Sequence, residues 1–207
     1  MRKDKKEIRS LNDFEIRQIG EGEQKQTHIQ GYALTFDSMS ENLGFREIIS
    51  RGSLDNTDFS DVILNFNHSN NKMLARNSKK DGPGSLTLTI DDKGLFYDAI
   101  PTDTTYARDL ITNMESGILG KSSFVFNLDW SDEEAQHWDW DDGKRGFDLR
   151  TINKIAKISD ISIVTNPAYE DTSSTIYKRS KEDHNEELQT VKEIRDIEIE
   201  LMKLELS

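Results

Sequence analysis

Leu86-Thr87-Leu88-Thr89-Ile90-Asp91-Asp92-Lys93-Gly94-Leu95-Phe96-Tyr97-Asp98-Ala99-Ile100 is the stretch that decides the fold class. Leu86, Leu88 and Ile90 alternate with threonines, the period-two pattern of a strand with one apolar face. Asp91-Asp92-Lys93-Gly94 is a turn sequence, so Leu95 to Ile100 reads as the returning strand of a hairpin. A second turn signal, Asp81-Gly82-Pro83-Gly84, precedes the pair. Upstream, Phe14 to Ile19 and His28 to Phe36 are short alternating runs, and Asp61 to His68 is apolar enough for a buried strand. If that last run stays extended, Val62, Leu64, Phe66 and His68 share one face. Downstream, Ser122 to Leu128, Phe147 to Ile152 and Ile158 to Thr165 are strand-like, the last ended by Asn166-Pro167. One helix stands among them. Ala107, Leu110, Ile111 and Met114 recur at helical spacing, Thr102, Asp103 and Thr104 offer capping oxygens, and Gly117 is placed as the stop.

Composition narrows the function classes. The 207 residues carry 27 basic and 39 acidic side chains, a net charge of -12, which argues against direct nucleic-acid binding through phosphate neutralisation. With no cysteine, a disulfide framework, a thiolate zinc site and a cysteine nucleophile are excluded. No stretch approaches the roughly 20 apolar residues of a membrane span, and no apolar signal core follows the charged start. A soluble, acidic, intracellular protein is expected. Residues 1–13, with Arg2, Lys3, Lys5, Lys6 and Arg9, read as a basic N-terminal arm or a leading strand. Residues 129–142 hold seven carboxylates, no Lys or Arg, and all three tryptophans, and read as an acidic loop or irregular hairpin rather than a calcium site. From about Lys178 the chain is charged, with Ile194, Ile197, Leu201 and Leu204 in 3-4-3 spacing. That is an amphipathic helix, either solvated or partner-binding.

Three residues could carry chemistry. His68 ends an apolar strand before a turn, where it is either a structural residue or a general base at a pocket edge. In Ser122-Ser123-Phe124 a hydroxyl on an apolar strand is either filler or a nucleophile, and the second role needs an imidazole and an orienting group. Asp160 lies inside the apolar run Ile158 to Val164, and burying a carboxylate costs several kcal/mol unless it is paired. His68, Ser123 and Asp160 therefore form a candidate triad, in an order unlike those of the trypsin-like, subtilisin-like and α/β-hydrolase enzymes.

A set of blocks carries a resemblance. Gly31-Tyr32-Ala33 with Phe36, Phe45-Arg46-Glu47-Ile48-Ile49, Arg51-Gly52-Ser53-Leu54 and Phe66-Asn67-His68 open the series. It continues through Gly94-Leu95, Thr105-Tyr106-Ala107-Arg108-Asp109-Leu110 and Ser123-Phe124-Val125-Phe126. Arg150-Thr151-Ile152 and Asp160-Ile161-Ser162-Ile163-Val164-Thr165-Asn166-Pro167-Ala168-Tyr169 close it. In this order, over residues 14–177, they resemble the phage prohead proteases, the capsid maturation peptidases of tailed bacteriophages. The resemblance implies a serine endopeptidase of α+β class: a β-barrel-like, mainly antiparallel sheet with flanking helices, similar to the herpesvirus assembly proteases. To this the sequence adds a C-terminal charged amphipathic helix.

Carried onto this chain, the resemblance implies His68 as base, Ser123 as nucleophile and Asp160 as the acidic member. Val125 stands where the family usually has glycine, and Ser122 where it has a small or apolar residue. Ser123 is preferred to Ser122 because it directly precedes Phe-x-Phe, and alternation points the two hydroxyls to opposite faces. Oxyanion donors are implied near Arg76 or beside Ser123. No cofactor or metal is implied. The implied partners are the major capsid protein, through its scaffolding segment, and the protease's own chain by autolysis; a homo-oligomer stays open. Neither membrane nor nucleic acid is expected as a partner, and the implied location is the host cell cytoplasm, inside the assembling prohead. The domains are then 1–13 as the arm, 14–177 as the protease domain and 178–207 as the charged helical tail. Two other classes compete: a non-catalytic capsid assembly or scaffolding protein on the same fold, and an acidic mimic of DNA.

Overall fold

The computed structural model describes residues 6–11, 14–20, 26–165 and 170–205. The chain divides into two units, Met1–Tyr169 and Glu170–Ser207. In the first unit the elements run β1 (Lys6–Leu11), β2 (Phe14–Ile19), β3 (Gln26–Thr35), β4 (Arg46–Ile49), β5 (Ile63–Phe66) and β6 (Met73–Arg76). They continue with β7 (Ser85–Ile90), β8 (Gly94–Ile100), α1 (Thr105–Glu115), β9 (Lys121–Asn127), β10 (Gln136–Asp139), β11 (Leu149–Ile152) and β12 (Lys157–Val164). The second unit is α2 (Glu170–Glu205).

The deciding hairpin forms as expected. β7 pairs antiparallel with β8, Leu88 opposite Tyr97 and Ile90 opposite Leu95. The Asp91 carboxylate accepts from the backbone N–H of Lys93 at 2.8 Å and of Gly94 at 3.0 Å, which closes the turn. Gly94 is required for packing, since a Cβ there would lie 2.0 Å from the Leu34 carbonyl oxygen and 2.9 Å from Thr35 Cα on β3. Both neighbours are backbone and cannot swing aside, so Gly94→Ala should lose about 1–3 kcal/mol or more of stability, read as a lower urea midpoint.

Nine strands make one sheet in the order β1-β9-β12-β5-β6-β7-β8-β3-β2, and three make a second, β10-β11-β4. Most neighbours are antiparallel; β12 with β5, β6 with β7, and β11 with β4 run parallel. The expected barrel-like closure does not occur. The large sheet curls enough to bring β3 across β1 and β9. Yet β1 and β2 each make their one ladder inward, to β9 and β3, and so remain its two edges. The class is α+β, mostly sheet.

The core lies on one face of the curl. Phe124 and Phe126 of β9, with ring centroids 5.4 Å apart, bury with Ile158, Ile161 and Ile163 of β12, Leu34 of β3 and Leu95 and Tyr97 of β8. Helix α1 adds Ala107, Leu110 and Met114, and Gly117 at φ 76° turns the chain out of it. Its N-cap residue is Thr104, whose side chain makes no capping hydrogen bond.

The leading segment is a strand, and it carries buried charge. Glu7 and Arg9 on β1 meet Glu47 on β4 and Arg150 on β11, all four side chains essentially inaccessible. Arg150 donates to Glu7 at 2.5 and 2.9 Å and to Glu47 at 3.0 Å, while Arg9 donates to Glu47 at 2.5 and 2.7 Å and to Glu7 at 2.9 Å. The quartet is neutral in sum and ties the edge of the large sheet to the small one. Burial alone would push the Glu7 carboxyl up, but the Arg150 and Arg9 guanidiniums outweigh it and hold it below its ordinary range.

The acidic segment is partly ordered as β10, antiparallel to β11, with Trp138 and Trp140 stacked at 4.8 Å. In the second unit α2 starts at Glu170, ahead of the expected tail boundary, and leaves Leu188, Val191, Ile194 and Ile197 exposed. Among the described residues no helix is long and apolar enough to cross a membrane.

Candidate active site

Strand β9 sets the two serines apart as its pleat requires. Ser122 shares the face of Phe124 and Phe126, where its hydroxyl is buried and has no hydrogen-bond partner among the described residues. Ser123 points to the other face. The register runs Ser123 opposite Ser162 on β12, and Ser162 opposite Asn65 on β5, so one polar row crosses three strands. Asp160 lies two residues before Ser162 and therefore projects from the same face.

His68 reaches this row by leaving the sheet. The expected extension of the strand to His68 is corrected: β5 stops at Phe66, and Asn67 and His68 adopt left-handed backbone at φ 52° and 53°. Two successive non-glycine residues there are strained and need holding. β12 and the residue that follows it supply the restraint. The Asn67 N–H donates to the Ile163 carbonyl at 2.9 Å, the Thr165 N–H donates to Asn67 Oδ1 at 3.0 Å, and the His68 N–H donates to Ser162 Oγ at 3.1 Å. His68 thus does not share a strand face with Val62, Leu64 and Phe66; the turn carries it over the Ser123 row.

The three candidate residues come together. His68 Nδ1 lies 2.7 Å from Asp160 Oδ1, and His68 Nε2 lies 2.9 Å from Ser123 Oγ. A carboxylate can only accept, so Nδ1 carries the proton and Nε2 presents its lone pair to the Ser123 hydroxyl. Asp160 Oδ2 accepts from the Asn65 amide, and Oδ1 also accepts from Ser162 Oγ at 2.8 Å. Asp160 and His68 keep 15% and 17% of their side-chain surface, whereas Ser123 is fully buried beneath them. An arrangement of this kind can move a proton from a hydroxyl to an imidazole whose positive charge a fixed carboxylate then balances.

Sequence reasoning missed Asn65 and Ser162. A signal was present: Ser162 follows Asp160 by one strand period, and a buried polar side chain in an apolar run needs a partner. The expectation for Arg76 is corrected. It pairs at the far end of β5, opposite Ile63, and its backbone N–H is used by the Gly84 carbonyl at 2.9 Å. Its guanidinium bonds Asp61 at 2.5 and 2.6 Å, and those hydrogen bonds hold the Asp61 carboxyl below its usual range. The residues beside Ser123 fare no better as oxyanion donors, because β9 is flanked by ladders to β1 and β12.

Residues 12–187 match the family described as Caudovirus prohead serine protease. The chain belongs to this family, a family of serine peptidases. The bacteriophage T4 capsid assembly protease, gp21, has a similar fold, with a TM-score of 0.51 over 80% of this chain and 100% of that one at 12% identity. No curated protein gives a significant match.

Proposed function

We propose that the chain is a serine endopeptidase that cuts the scaffolding segment of the major capsid protein, and its own chain, during prohead maturation. Ser123 is the nucleophile, His68 the general base and Asp160 the residue that orients the imidazole and stabilises the imidazolium. The observation that carries the reading is the unbroken relay from Asp160 through His68 to Ser123, at 2.7 and 2.9 Å. Ser123 attacks the peptide carbonyl as His68 takes its proton; His68 then protonates the leaving amine, and water hydrolyses the acyl-enzyme. Membership of the family supports capsid protein as substrate, and the action takes place in the host cytoplasm inside the assembling prohead. The domain limits proposed are 14–177 for the protease and 178–207 for the tail.

One observation favours the second reading, a non-catalytic assembly protein on this fold: Ser123 is 0% exposed, so a substrate must displace whatever covers it. Intact-mass spectrometry of capsid protein co-expressed with wild type, Ser123→Ala or Ser122→Ala separates the two. The protease reading expects truncation with wild type and Ser122→Ala but none with Ser123→Ala, and fluorophosphonate labelling of Ser123 alone. Full-length capsid protein with every chain, and no labelling, would establish the assembly protein instead.

The exposed apolar residues of α2, Leu188, Val191, Ile194 and Ile197, suit pairing with a helical scaffold segment. Deleting residues 178–207 should therefore abolish protease incorporation into proheads while leaving peptide cleavage in solution intact. Unchanged incorporation would remove the anchor role.

A further inference from the structure

We propose that Ser162 is a positioning residue that locks the base and the acid of the site to each other through a single hydroxyl. This rests on the reading of Ser123, His68 and Asp160 given above. Ser162 is fully buried and stands in register between Ser123 and Asn65. Its oxygen lies 3.1 Å from the His68 backbone nitrogen, 2.8 Å from Asp160 Oδ1 and 3.1 Å from His68 Nδ1. Donor accounting resolves the three contacts. The His68 N–H can only donate, so the hydroxyl accepts there; Asp160 can only accept, so the hydroxyl proton goes to Oδ1. Nothing is left for Nδ1, whose own proton also goes to Asp160.

The consequence is a closed ring: His68 backbone to Ser162, Ser162 to Asp160, Asp160 to the His68 imidazole. It holds both ends of one residue that sits in left-handed backbone at φ 53°. Without the hydroxyl the His68 N–H has no acceptor there and the turn at Asn67-His68 loses a restraint. Asp160 simultaneously loses one of three donors and is left with Asn65 and His68. Ser162 makes no hydrogen bond to Ser123 or to a reacting atom, so it acts through its neighbours.

Ser162→Ala, with Ser162→Thr as the hydroxyl-retaining control, tests this on the full-length chain with a scaffold-derived peptide. The expected loss for Ser162→Ala is about 10- to 100-fold in kcat with KM nearly unchanged, the scale of one hydrogen bond to a charged group. Asp160, sharing its charge with fewer donors, should hold the imidazolium more strongly and move the acid limb of the kcat profile to higher pH. Ser162→Thr should restore both kcat and the limb. A Ser162→Ala chain with wild-type kcat and pH profile overturns the inference alone, as does a loss that Ser162→Thr does not repair. A wild-type chain that neither cleaves nor takes fluorophosphonate label overturns the reading beneath it as well.

Discussion

Asp160→Asn should retain the fold and lose about 10,000-fold in kcat, the scale set when a triad carboxylate becomes an amide. The substitution is nearly isosteric, so the sheet register at Val125 and Ile63 has no reason to move. Its chemistry is not conservative. Asn65 donates to one oxygen of the wild-type carboxylate, and His68 and Ser162 donate to the other. An amide that keeps accepting from Asn65 must turn its NH2 toward His68 and force the proton onto Nε2, the nitrogen that faces Ser123 at 2.9 Å. An amide turned the other way accepts from His68 but carries no charge to balance an imidazolium. The measurement is single-turnover cleavage of a scaffold-derived peptide at saturating enzyme, with thermal melting as the control for folding. A reduction below tenfold would remove Asp160 from the proposed mechanism.

The second large effect is on stability. Arg150→Ala should destabilise the protein by about 3–5 kcal/mol, because it strands Glu7 and Glu47 as buried carboxylates with Arg9 as their remaining cation. For a chain of this size that corresponds to a fall of about 10 °C in Tm. A fall under about 2 °C would mean that water reaches the quartet after all. The same quartet sets an acid limit. Glu7 titrates below its ordinary value in the folded protein, so its contribution is fully present above about pH 4.5 and is lost as the pH falls through the lowered value. Wild-type Tm should therefore be flat from about pH 7 to pH 5 and drop below that, with a shallower drop in Glu7→Gln.

How much of this the sequence discloses depends on which physics is local. The β7–β8 hairpin is legible because its alternation and its Asp-Asp-Lys-Gly turn lie within one short stretch. Helix α1 is legible for the same reason. The short strands β4 and β6, of four residues each, have no period long enough to read, and β4 is held by a parallel ladder to β11 about a hundred residues away. The open edges of the large sheet were equally hidden, because closure depends on which strand finds which partner and not on any strand's own pattern. In the site, the candidate residue types could be picked out one by one. What could not be read was the turn at Asn67-His68, which is imposed by hydrogen bonds from β12 and from Thr165 just after it, against the backbone's own preference. The charged quartet was invisible for a different reason: Glu7, Arg9, Glu47 and Arg150 look like surface residues until all four are placed together.

The quartet also imposes a schedule. Glu7 lies 143 positions before the arginine it bonds, and β1 has no strand to pair with until β9 exists. On a ribosome the first strand must wait, unpaired and carrying charge that keeps it soluble, while most of the first unit is made. Asp160 and Ser162 come later still, after Ser123 and long after His68. A nascent chain can therefore hold the serine and the histidine and yet lack the strand that bends one over the other. The relay from Asp160 through His68 to Ser123 therefore closes only once β12, the last strand of the first unit, has been made and paired.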